Sequence, residues 1–167
     1  MKEIIINSKK YGQKVALVDD SDFYWLNQWK WSLHKDKNTY YAHRMVWLKA
    51  SKKNKEIKMH RLILGLTSFE TKTDHIDHNG LNNQRYNLRV ATNAQNLANI
   101  SPRKNVTSKY LGVSWRKESN KWVCQITKNG KKKYLGLFDN QEQAALAYND
   151  AAKILHAEFA NLNKIAS

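Results

Sequence analysis

An α+β fold is what this sequence predicts, and three observations predict it. Residues 1–59 hold short runs rich in aromatic and β-branched side chains, separated by Asp, Asn and Lys clusters, which is the pattern of short strands joined by turns. A second group of such runs contains Asn129-Gly130, the dipeptide that closes two-residue hairpins. Directly after it comes one helical pattern, with Ala144, Ala145, Ala147, Tyr148, Ala151, Ala152 and Leu155 forming a small-residue apolar face.

Taken in order, the first strands are expected at Val15–Val18, Tyr24–Trp31, Tyr40–Trp47 and Glu56–Met59. The acidic break Asp19-Asp20-Ser21-Asp22 lacks the Gly and distal Glu of a calcium loop, and Asp20 or Ser21 reads as a helix cap instead. His60-Arg61-Leu62-Ile63-Leu64 is an apolar stretch, helix or strand, with a half-buried histidine. Composition then shifts abruptly: residues 74–99 carry asparagines at 79, 82, 83, 87, 93, 96 and 99, more than turn chemistry alone asks for. Residues 100–109 hold the only proline and no apolar periodicity, as suits a basic linker. Beyond it, strands are expected at Tyr110–Arg116, Lys121–Thr127 and Lys132–Leu137. Asp139 and Glu142 are then spaced as a capping box at the start of the helix.

Charge and cysteine content narrow the function. The chain has 29 Lys and Arg against 14 Asp and Glu, a formal net charge of +15 over 167 residues, and the excess runs through both halves. With six Trp and eight Tyr interleaved among the cations, a polyanion is the expected partner, nucleic acid before an anionic membrane surface. Cys124 is the sole cysteine, which excludes an internal disulfide and a cysteine-rich zinc site and suits a reducing cytoplasm. The longest early apolar run, Ile4–Ile6, is far shorter than a membrane span or signal segment needs, so no membrane is expected.

Within the asparagine-rich region, Asp74-His75-Ile76-Asp77-His78-Asn79-Gly80-Leu81-Asn82-Asn83, then Asn87-Leu88-Arg89-Val90-Ala91-Thr92 and Asn96, resembles the HNH endonucleases, especially phage and intron-encoded homing enzymes. The resemblance covers residues 60–99. It implies a ββα-metal module: strand Lys72–Ile76, strand Leu88–Ala91, and helix Thr92–Asn99 capped by Thr92 and Gln95. Asp74 and Asn96 are then the metal ligands. Their hard oxygens suit Mg²⁺, with Mn²⁺ as an alternative, and leave room for water and phosphate. His75 is the catalytic general base, its ordinary pKa lying near neutrality, and Asn87 braces the loop that orients it. His78 is the alternative base, and His60 matches the histidine preceding the motif, in a structural or phosphate-contacting role. Side chains alternate along a strand, so Asp74 and His75 can serve one site only from a bulge or a strand end. Asp77, Asn79, Asn82 and Asn83 read as turn residues beside Gly80. His34, His43 and His156 read as structural.

A second resemblance covers residues 110–163. Tyr110-Leu111-Gly112-Val113, Lys121-Trp122, Tyr134-Leu135-Gly136-Leu137-Phe138-Asp139, Ala144–Ala152 and Leu162-Asn163 are similar to the plant ethylene-response-factor DNA-binding domain. That family lays a three-stranded sheet in the major groove with a helix packed behind it. Alternation then offers Ser114, Arg116, Gln125, Thr127, Lys132 and Tyr134 to DNA, and turns Cys124 and Ile126 toward the helix. Arg116 suits guanine and Gln125 adenine, while Lys121 and Lys132 suit phosphate. Leu111, Ser114 and Thr127 stand where plant members often carry Arg, a departure that bears on whether the plant target sequence is shared.

Together these readings predict a β-rich lead-in and nuclease module at 1–99 with its motif core at 60–99, a linker at 100–109, and a DNA-binding domain at 110–167. The expected activity is site-specific, homing-type hydrolysis of double-stranded DNA in the cytoplasm of a host cell, encoded by a phage or mobile element. One metal site cuts one strand, so a monomer nicks and a dimer makes a double-strand break; both stay open. The rival is a sequence-specific DNA-binding regulator with a vestigial nuclease motif. An RNA-binding protein is disfavoured because no aromatic ribonucleoprotein motif is present.

Overall fold

Alternation organises the first hairpin. In β1 (Lys2–Ser8), Ile4 and Ile6 are buried while Ile5 faces out, and β2 (Gly12–Val18) pairs with it antiparallel from Lys2↔Val18 to Ser8↔Gly12. The structure, a computed structural model, describes residues 1–36, 38–68, 70–99 and 107–165. It is a mixed α+β chain of small antiparallel sheets and divides into two compact units, Met1–Ala91 and Thr92–Ser167. Residues 100–106, most of the expected linker, lie outside the described residues.

In the first unit, α1 (Asp20–Asn27) follows β2, and a sheet of β3 (Ser32–Lys35), β4 (Tyr40–Leu48) and β5 (Lys53–Lys58) follows α1 in the order β3-β4-β5. Next come α2 (Met59–Ile63), β6 (Lys72–His75), a 3-10 turn at Arg85–Asn87, and β7 (Leu88–Ala91), which pairs antiparallel with β6. The expected strand at Tyr24–Trp31 is a correction: residues 24–27 are the end of α1 and no strand follows before Ser32. Helical spacing explains the difference, because Asp22 and Leu26 share the buried face while Tyr24 is exposed. The Trp31 indole, donating to the Leu26 carbonyl oxygen at 2.9 Å, then turns the chain into β3. His60–Leu64, open between helix and strand, is helical through Ile63. The core gathers Ile4, Ile6, Ala16, Val18, Leu26, Trp31, Ala42, Met59, Ile63 and Leu88.

In the second unit, α3 (Asn93–Ala98) precedes a sheet of β8 (Val113–Arg116), β9 (Lys121–Lys128) and β10 (Lys131–Phe138), ordered β10-β9-β8, with α4 (Gln141–His156) packed on it. Asn129 and Gly130 both take positive φ between β9 and β10, as the hairpin turn requires. Val113, Cys124 and Ile126 meet Ala144, Ala145, Tyr148 and Ala152, so the small residues of α4 let the helix lie close on the strands. Gly112 marks the tightest approach: φ is +71°, and a Cβ there would sit 2.2 Å from the Tyr148 ring. The cap of α4 is a second correction. Asn140, not Asp139, accepts from the backbone N–H of Glu142 and Gln143, and Asp139 pairs with Lys121 instead. The capping box of α3, by contrast, is present in full: Thr92 accepts from Gln95 N, and the Gln95 side chain accepts from Thr92 N. Among the described residues no helix is long and apolar enough to cross a membrane.

Candidate nuclease centre and DNA-binding face

The candidate centre grows from the β6–β7 hairpin and the loop between its strands. The register sets Asp74 opposite Arg89 and His75 opposite Leu88 without a bulge. β6 ends at His75, so of the two devices that could free these side chains the strand end is the one present. Alternation sends them to different neighbours. Asp74, buried, accepts at Oδ2 from Arg89 Nε (2.8 Å) and Nη2 (2.6 Å). His75, also buried, lies against the rings of His60 and Tyr41 at centroid distances of 5.0 and 5.6 Å, with Nε2 3.5 Å from Asn83 Oδ1. Burial is the main force on the imidazole and lowers its pKa, against smaller opposing effects of Asn83, Asp77 and Asp74. The neutral, proton-accepting form therefore predominates at neutral pH.

Asn87 and its neighbours explain the asparagine density. The Asn87 side chain donates to Asp77 Oδ1 (2.9 Å) and the Asn82 carbonyl (2.8 Å), and accepts from Asp77 N (3.0 Å). Asn82 donates to Asp77 Oδ2 at 2.7 Å, and Asn79 N to Asp77 Oδ1 at 2.8 Å. Burial works to raise the Asp77 pKa, yet these donated bonds prevail and hold it below the ordinary value. Asp77, Asn79 and Asn82 were expected only to form turns; with Asn87 they also build a hub around the Asp77 carboxylate. Gly80 seats the loop on the sheet: its N–H donates to Thr39 Oγ1 at 2.9 Å, and a Cβ would lie 2.5 Å from the Tyr40 carbonyl oxygen.

The remaining candidates are placed as follows. His78 is exposed in a left-handed turn, its backbone N–H on the His75 carbonyl oxygen. Asn96 is exposed on α3 in the second unit. His60 is buried, its Nδ1 has no hydrogen-bond partner, and burial first, then the His75 charge, pushes its pKa down to about 3. In the unfolded chain an imidazole protonates near pH 6.5, so below that pH the unfolded state binds a proton that folded His60 refuses. Stability should fall from pH 6.5 toward 3, by up to about 1.4 kcal/mol per pH unit from this group. Urea melts at pH 7 and 5 check this: His60→Leu should lose less stability on acidification than the wild type.

As for a metal, no group of three or more His, Cys, Asp and Glu side chains gathers among the described residues. The Asp74 carboxylate, in the first unit, and the Asn96 amide oxygen, in the second, are each hard donors of the kind a divalent cation takes. The donor chemistry fits such an ion, with Arg89 its competitor for Asp74.

The second unit presents a single polar face. Register pairs Arg116 with Lys121, Tyr134 with Gln125 and Lys132 with Thr127, and sets Ser114 opposite Val123, so all the expected DNA-facing side chains share the surface opposite α4. An open depression on it is lined by Ser114, Arg116, Gln125 and Tyr134, among others. Two of its cations are partly engaged, Arg116 with Glu118 (3.6 Å) and Lys121 with Asp139 (3.0 Å). A bulge at Leu135 then shifts the phase of β10, bringing Gly136 opposite Cys124. Asn163 closes the unit by bonding the backbone of Leu111 and the side chain of Asn149.

Residues that the sequence did not single out for this site include Arg89, Tyr41, Asn83, Asp22 and Arg85. Arg89 had a usable signal, since its place opposite Asp74 follows from the two strand assignments.

Known proteins share both parts. The AP2 domain model matches residues 108–158. An uncharacterized HNH endonuclease of Acanthamoeba polyphaga mimivirus is 38% identical over 115 residues, 66% of this chain and 59% of that protein. Protein 3.8 of Escherichia phage T7 is 38% identical over 87 residues, 52% of this chain and 71% of that protein. An ethylene-responsive transcription factor of Arabidopsis thaliana is 46% identical over 56 residues, 32% of this chain and 30% of that protein. These likenesses show that the chain belongs to the family of phage T7 protein 3.8, is homologous to a viral HNH endonuclease, and carries an AP2 domain of the ethylene-response-factor type.

Proposed function

We propose that this protein is a site-specific, homing-type DNA endonuclease in which residues 1–99 cut and residues 110–167 supply much of the recognition, joined by the segment 100–109. The observation that carries this reading is the buried His75 at the end of β6, next to Asp74 in sequence and followed by a loop braced by Asn87. His75 takes the proton of the attacking water at a ring nitrogen. Asn83 Oδ1, 3.5 Å from His75 Nε2, helps to fix the orientation of the ring. Asp74 would offer a hard oxygen donor to a divalent cation, Mg²⁺ or Mn²⁺, which would neutralise charge on the phosphate and the leaving oxygen; Asn96 is a second donor of suitable chemistry, on α3. Asn87 keeps the loop in place, and the Tyr41 and His60 rings pack against His75 and fix its position.

A second reading, a DNA-binding regulator with an idle nuclease motif, is favoured by one observation: Asp74 is committed to Arg89. A supercoiled-plasmid nicking assay separates the two. Nicks that appear with Mg²⁺ or Mn²⁺ and vanish with a chelator support the enzyme, and binding without nicks in either metal supports the regulator.

Recognition is tested by mutation on the sheet face. Lys132→Ala should weaken target and random DNA alike and flatten the salt dependence by about one unit of slope. Arg116→Ala should cost about 1–3 kcal/mol on the target and much less on random DNA. Competition binding across a salt series reads both, and equal losses for Arg116→Ala would refute its base-reading role.

A further inference from the structure

We propose that Asp19 and Asp22 are positioning residues for the nuclease centre, acting through Arg85 to hold the loop that carries Asn83 and Asn87 against His75. The proposal rests on the nuclease reading above and deepens it. Asp19 occupies the N-cap position of α1, yet its side chain makes no capping bond there. It accepts instead from Arg85 N at 2.8 Å and Gln84 Nε2 at 3.3 Å. Asp22, only 2% exposed, takes the Arg85 fork, Nε at 2.8 Å and Nη2 at 2.7 Å, with the Trp25 indole as a further donor at 3.2 Å. One carboxylate is thus turned away from capping its own helix, and another is buried, both to hold the same residue of a distant loop.

From Arg85 the hold passes to the centre in short steps. Arg85 opens the 3-10 turn that ends at Asn87, and Asn87 N donates to the Gln84 carbonyl oxygen at 2.9 Å. Asn87 grips Asp77 with its side chain and Ile76 N with its carbonyl oxygen, bracketing the residues just after His75. The loop has a second anchor at β2, where Leu17 N donates to the Leu81 carbonyl oxygen and Asn83 N to that of Leu17, both at 2.8 Å. Asn83 is the residue whose Oδ1 meets His75. The catalytic loop is therefore fastened by residues 17, 19 and 22, far outside the HNH motif. A general base tolerates little misplacement, so slackening the clamp should slow chemistry while leaving DNA binding intact.

Asp22→Asn and the milder Asp19→Ala test this in the full chain, at a temperature where circular dichroism shows the fold retained. Single-turnover cleavage at saturating DNA and Mg²⁺ should slow at least about tenfold, with the Kd for target DNA within about twofold of wild type, and Asp22→Glu should recover most of the rate. A merely stabilising clamp would lower the melting temperature and leave the rate of the folded enzyme untouched; that result overturns the proposal. So does a loss seen in DNA affinity instead of rate, which would make Arg85 a DNA contact. Imidazole NMR signals supply an arm independent of cleavage: those of His75 should shift in both variants while those of His34 stay in place, and an unmoved His75 overturns the proposal. If the wild type itself fails to cut, the nuclease reading falls, and the NMR arm still judges the clamp.

Discussion

His75→Ala is expected to bind its target DNA and leave it uncut. Removing a general base costs about 10²–10⁴-fold in rate, and a buried imidazole offers DNA almost no surface to lose. Cleavage at saturating Mg²⁺ and binding by gel shift, on one preparation, read the two effects separately. The imidazole is replaced by a small side chain next to His60 and Tyr41, so a modest loss of stability accompanies the change and is checked by thermal melting. Full activity in His75→Ala would transfer the base to His78, which is exposed in the neighbouring turn.

Arg89→Ala should be among the most destabilising single changes in the first unit. It leaves the Asp74 carboxylate, 6% exposed, with its Oδ2 stripped of both guanidinium bonds. Breaking one side of a buried ion pair costs about 3–5 kcal/mol, a large part of the stability of a small domain. Arg89→Lys retains the charge but not the fork, and should cost less. Denaturant melts at neutral pH measure both. A loss below about 1 kcal/mol for Arg89→Ala would mean that the pair behaves like an exposed one and that Asp74 finds another partner or water.

Much of this was legible in the sequence because it depends on local rules. Alternation gave the buried Cys124 and Ile126 and the polar face opposite them, and Asn129-Gly130 gave its hairpin. Thr92 and Gln95 gave the cap of α3. What escaped depends on partners far apart in the chain. Asp19 and Asp22 look like ordinary helix-start residues until Arg85, more than sixty positions later, is seen between them. Asp77 reads as a turn former until Asn79, Asn82 and Asn87 converge on it. Tyr24–Trp31 misled because aromatic richness favours strands only when packing is two-sided; here the apolar spacing suited a helix whose Leu26 reaches the core.

The central claim is that one chain couples an HNH nuclease centre to an AP2 reading face. The most direct test incubates the full-length protein with a random-sequence plasmid library and Mg²⁺, then maps nick positions by sequencing. Nicks are expected at a fixed offset from one recurring sequence, absent with a chelator and absent for His75→Ala, and blurred along the DNA for Arg116→Ala. Binding to a recurring sequence with no metal-dependent nick near it would contradict a nuclease and leave a DNA-binding regulator.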